Sequence, residues 1–228
     1  MSRDPAADID QAIEVLRRFR GTRRASARAV ERCELCSAAL AEEHPHLVEL
    51  ASRQLVCACD PCALLFDGAE RSKYKRVSRR VLSLSNFRMT DSQWESLIIP
   101  ISLAFFFHSS LEDRPIAFYP SPAGAVESLL TLEAWSAIVD DNPALNRMQP
   151  DVEALLVNRL GTHRSGGGED PGRAKYFIAP MDECYKLVGL IRANWKGLAG
   201  GSEVWDRIHE FFAMLQHKSE PMSGGLDA

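Results

Sequence analysis

Apolar residues recur along this chain in two periods, and the change from one to the other divides it into segments. Ile9, Ile13, Leu16 and Phe19 follow one helix face, and Asp8 with Gln11 is a variant of a capping box, so the spacing predicts a helix over 8–20. Leu47, Val48 and Leu50, then Leu55 and Val56, flank Ala51-Ser52-Arg53-Gln54, which suits two short strands joined by a turn. Pro61 can occupy the first turn of a helix running on through residue 66, with Asp60 as its expected cap. Thr90 and Gln93 make a second capping signature ahead of Trp94, Leu97 and Ile98, and Pro100 ends that helix. Residues 101–108 (ISLAFFFH) and 116–119 (IAFY) read as paired strands across a charged turn. Further helices are expected over 125–139, 151–160, 182–196 and 203–216, with a strand at 175–179. The glycine-rich stretch 161–172 reads as a mobile loop, and the tail beyond Gln216 as disordered.

Assembled, these elements predict an α+β fold: a small four-cysteine metal-knuckle module, hairpin plus helix, attached to a larger domain with a short antiparallel sheet covered by helices. The expected segments are an N-terminal helix and basic linker (1–27), the four-cysteine module (28–80), the α+β domain (81–216) and the tail (217–228). With 228 residues, 46% of them hydrophobic, a substantial core is available. The first thirty residues carry Arg17, Arg18, Arg20, Arg23, Arg24 and Arg28 and no long apolar stretch, so they do not read as a secretory signal. The longest apolar run, 97–107, is broken by Pro100 and Ser102 and is too short to span a bilayer. A cytoplasmic location is therefore expected, where paired cysteines serve more often as metal ligands than as disulfides.

Five of the six cysteines fall in a thirty-residue window, as CELC and CACDPC. Two C-x-x-C pairs at this separation are the ligand pattern of a four-thiolate site, because each x-x spacing turns both sulfurs toward one point. The expected ligands are Cys33, Cys36, Cys59 and Cys62, with zinc as the metal and iron as the alternative, since four-thiolate geometry suits both. Cys57 is then the odd thiol, a packed neighbour or a substitute ligand, with His44 and His46 as reserves. Four thiolates leave no position for water, which argues for a structural rather than a hydrolytic metal and for no enzymatic activity. With iron, the same ligands would make a rubredoxin-like electron carrier.

The order knuckle, hairpin, helix resembles treble-clef and zinc-ribbon modules. CELC also opens the metal site of HNH-type nucleases, but the Asp-His pair those enzymes need is missing from HPHLVELASRQLVCACDPCALLFDG, so only the scaffold resemblance survives. Basic stretches at 20–32 and 71–80 raise nucleic-acid binding as a rival. Against it stand a formal net charge of -4 and an acidic region, 127–153, with which the arginines can pair. Gly166-Gly167-Gly168 lacks the context of a phosphate loop, Cys184 reads as a buried small hydrophobe, His108 and His163 have no partner by spacing, and the four tryptophans read as core.

The segments RCELCSAALAEEHPHLVELASRQLVCACDPCALLF and YKLVGLIRANWKGLAGGSEVWDRIHEFFAML resemble an uncharacterised family of bacterial proteins encoded beside oxygen-tolerant, actinobacterial-type [NiFe]-hydrogenases, over residues 28–216. The resemblance implies an accessory protein for hydrogenase assembly or maturation, docking on a hydrogenase subunit or maturation protein, and carries over no catalytic residue. A non-enzymatic, metal-binding accessory protein is the expectation that combines both lines. A rubredoxin-like carrier or metal-handling protein, and a nucleic-acid-binding zinc module, are the alternatives.

Overall fold

The computed structural model describes residues 30–67, 72–128, 132–160, 174–197 and 200–222. The chain divides into two compact units, Met1–Glu31 and Arg32–Ala228, and the architecture below is that of the second. The helix expected over 8–20 and the loop at 161–172 lie outside the described residues.

A three-stranded antiparallel sheet comes first, with β1 (His46–Glu49) between β2 (Gln54–Cys57) and β3 (Tyr74–Arg76). Arg53, at φ 59°, supplies the left-handed residue that the tight β1–β2 turn requires. Helix α1 (Asp60–Phe66) follows β2 and carries Pro61 in its first turn, where the missing N–H costs nothing. Its N-cap is Cys59 rather than the expected Asp60, and no side-chain cap bond is made.

Seven strands form the larger sheet: β4 (Leu82–Ser83), β5 (Leu103–Ser109), β6 (Arg114–Ser121), β7 (Gly124–Ser128), β8 (Glu153–Asn158), β9 (Lys175–Pro180) and β10 (Glu220–Pro221). Their order is β10-β4-β9-β8-β5-β6-β7, antiparallel throughout except for the parallel β10–β4 pair. Strict alternation builds two cores from single strands. Leu103, Phe105 and Phe107 of β5, Ala154 and Leu156 of β8, and Phe177 and Ala179 of β9 face α4 (Met181–Asn194) and α5 (Gly201–Lys218). Ala104 and Phe106, Leu155 and Val157, and Tyr176 and Ile178 face the other way. They pack there against Trp94 of α2 (Asp91–Ser96), Ile138 of α3 (Leu132–Asp141) and Leu145 of a 3-10 turn, Pro143–Arg147.

Four expectations fail. Residues 153–158 are a strand, not part of a helix; EALLVN is buried on both faces between β5 and β9, and so short an apolar run carries no period that separates the two structures. The helix expected over 125–139 is β7 followed by α3; of the tail expected to be disordered, residues 217–222 hold the close of α5 and β10, with the Glu220 and Met222 amides donating to the Val81 and Ser83 carbonyls, and the rest lies outside the described residues. Of the tryptophans, Trp205 is 37% exposed and is not core.

Polar contacts tie the small sheet to the large one. Arg53 pairs with Glu112 and, at 2.8 Å, with Glu127; Tyr185 of α4 donates to the Arg53 carbonyl at 3.0 Å. Lys75 pairs with Asp151 and Arg80 with Glu153. Val48 and Val77 join the same apolar cluster as α4 and α5. These contacts fix where the cysteine-bearing segments sit.

Candidate metal centre

Two separate turns deliver the cysteine pairs. In the first, Cys33 N–H donates to the Ala38 carbonyl at 2.8 Å and Ser37 N–H to the Cys33 carbonyl at 2.7 Å, closing a knuckle in which Ser37 takes φ 65°. In the second, the chain leaves β2 and enters α1, so Cys59 caps the helix and Cys62 lies in its first turn. The knuckle is bonded to the end of β2 through Glu34 N–H to the Cys57 carbonyl (2.9 Å) and Cys57 N–H to Glu34 Oε2 (2.6 Å). Under the cluster lie Leu47, Ala58 and Ala63.

The structure brings together the four sulfurs that spacing selected: Cys33, Cys36, Cys59 and Cys62 lie within 4.8 Å of one another. Cys36 Sγ and Cys59 Sγ are 3.6 Å apart, far beyond a disulfide bond and close to the edge of about 3.8 Å that a tetrahedron with 2.3 Å zinc–sulfur bonds requires. Cys33 and Cys62 are buried, Cys59 is half-buried and Cys36 is exposed. The donor set fits a metal ion.

Electrostatics agree with that use. Burial pushes the Cys33 thiol up, but the backbone amides of Cys59, Leu35 and Cys36 point at its sulfur and bring it down to about 6. Burial, together with the neighbouring cysteines, pushes Cys62 up to about 12. Thiols crowded this closely cannot all ionise alone, and a dication is the charge that lets them.

Cys57 does not sit with this cluster. It groups with His44 and His46 on the other face of the hairpin, their ligand atoms again within 4.8 Å of one another. The signal was present in the sequence as His-Pro-His opposite a strand cysteine, since alternation places residues 44 and 46 on one face. Cys184 is wholly buried in the core as expected, and burial holds its thiol well above the usual range. His108 bonds to Asp113 at 3.1 Å on the surface, a partner that spacing did not reveal. Among the described residues no helix is long and apolar enough to cross a membrane.

The chain belongs to a family described as a family of unknown function, DUF5947, whose model matches residues 32–219. No curated protein and no solved structure matches it.

Proposed function

For this member of DUF5947 we propose a metal-stabilised accessory protein: zinc held by Cys33, Cys36, Cys59 and Cys62 fixes the knuckle, hairpin and helix, and the module docks on a hydrogenase subunit or maturation protein. Convergence of the four thiols within 4.8 Å is the observation that carries it. Four thiolates fill a tetrahedral ion, so this metal contributes folding energy rather than a reactive water. Docking is supported by α1, the helix anchored by Cys62, on which Leu64 and Leu65 remain 67% and 72% exposed. Adjacent leucines on a helix held by a metal are a ready contact for an apolar partner surface. The hydrogenase partner rests on the sequence resemblance.

Nucleic acid is the less favoured reading. In the second basic stretch, Lys75, Arg76 and Arg80 face Asp151, Asp60 and Glu153, which takes up charge that phosphates would need. Metal analysis with co-purification tests the proposal. A colourless protein whose zinc falls in Cys33→Ser is expected, whereas a red protein bleached by dithionite would mean iron and an electron carrier. Leu64→Asp with Leu65→Asp should keep the zinc and lose co-purification with the products of the neighbouring hydrogenase genes; retained co-purification would remove α1 as the docking surface.

A further inference from the structure

We propose that His44, His46 and Cys57 form a second metal site, distinct from the four-thiol cluster, that binds a divalent ion of the zinc class through two imidazoles and one thiolate and leaves a fourth position open. The three come together because of strand register. His46 of β1 pairs directly with Cys57 of β2, so both side chains stand on one face of the hairpin at the closest cross-strand distance. Pairing continues one step further, with Ala58 N–H donating to the Pro45 carbonyl at 3.0 Å, and this places His44 two residues from His46 on that same face. The two imidazole rings lie 4.8 Å apart between centroids.

Hydrogen bonds assign the nitrogens. His44 Nδ1 lies 3.0 Å from the Ala41 carbonyl, and His46 Nδ1 lies 3.0 Å from Asp182 Oδ2. Carbonyl and carboxylate oxygens only accept, so each Nδ1 carries the proton and donates, and each Nε2 presents a lone pair. His44 Nε2 is fully buried and has no hydrogen-bond partner among the described residues. A buried acceptor without a partner is costly, and a metal ion beside it is the direct remedy. A carboxylate on the far nitrogen of a ligating histidine, as Asp182 stands behind His46, is the arrangement that fixes ring orientation in metal sites.

Donor chemistry selects the ion. Two imidazoles and a thiolate suit zinc and its borderline neighbours rather than magnesium or calcium, which take oxygen ligands. The group is half-buried, so the fourth position is within reach of water or of an exogenous donor. Three protein ligands with one open position differ in kind from the closed tetrathiolate on the opposite face: a metal here can take and release a ligand.

Metal counting on the full chain tests it. Protein saturated with zinc and desalted should hold two ions per chain, and His44→Gln and Cys57→Ser should each hold one while keeping the wild-type circular dichroism spectrum. Cys57→Ser removes only a sulfur in favour of an oxygen, so it is the variant that preserves packing best. Cobalt in place of zinc gives an independent reading: the difference spectrum between wild type and Cys57→Ser should show a single-thiolate site, with the tetrathiolate bands unchanged. One ion in the wild type, or two in both variants, would overturn the second site. Loss of metal in Cys33→Ser bears only on the four-thiol cluster, so the two can fail separately.

Discussion

Arg80 grips Glu153 with two nitrogens, Nε at 2.6 Å from one carboxylate oxygen and Nη2 at 2.8 Å from the other. Glu153 opens the central strand β8 and has no exposed surface, while Arg80 lies between the small sheet and β4. A charge buried so completely is tolerable only because it is paired and because Gln149 N–H donates to it at 2.9 Å. Arg80→Ala should therefore destabilise the protein by about 3 kcal/mol, the low end for a broken buried pair because Arg80 itself is partly exposed. Chemical denaturation of the purified variant checks this. A loss within experimental scatter would mean that Glu153 finds water instead.

The same pair sets a pH dependence. Burial works to raise the Glu153 carboxyl, but the Arg80 guanidinium, the Gln149 amide and the Ser78 hydroxyl together outweigh it and hold the group below the ordinary value of 4.5. A carboxylate with a depressed folded value stabilises fully above its unfolded value and loses that contribution as pH falls through the folded one. The advantage of wild type over Glu153→Gln should thus be complete above 4.5 and shrink in acid. Melting temperatures of both proteins across that range would show an unchanging gap if the account were wrong.

Helix α2 depends on a complete capping box. Thr90 Oγ1 accepts from Gln93 N–H at 3.1 Å and Gln93 Oε1 accepts from Thr90 N–H at 2.8 Å. Thr90→Ala should cost about 1 kcal/mol. Denaturant midpoints suffice to measure it, provided the slope is unchanged.

Phe106 has no exposed surface and stacks on Trp135 with centroids 5.4 Å apart. Phe106→Ala should cost about 3–5 kcal/mol, since the sheet on one side and α3 on the other limit collapse into the void. A smaller loss in equilibrium unfolding would show that α3 moves inward.

Asp182 should matter to metal without touching it. Asp182→Asn keeps a hydrogen-bond acceptor for His46 but removes the charge, and should weaken zinc at the His44, His46 and Cys57 site about 10–100-fold. Competition with a coloured chelator measures this, and the four-thiol cluster should hold its ion with unchanged affinity.

The cysteine cluster was legible because ligand spacing is a local property: two x-x turns and a hairpin specify it within one window. β5 and β6 were legible too, since their aromatic enrichment and the charged turn residues between them favour a strand pair. β8 was not, because EALLVN has the composition of a helix and only its neighbours β5 and β9 make it extended. The role of Asp182 was likewise invisible, for its partner His46 lies 136 positions away and nothing local marks either residue. Which neighbours Cys57 takes was not legible either: the strand ends at Cys57, and the turn into α1 carries Cys59 to the other cluster.

This separation in sequence has a kinetic consequence. The four-thiol cluster closes within thirty residues and can form as soon as that stretch is made, whereas His46 meets Asp182 only after β9 and α4 have been synthesised and docked. The ligands of both clusters therefore gather on one hairpin and its flanks, and only the carboxylate behind His46 has to arrive from the far end of the chain.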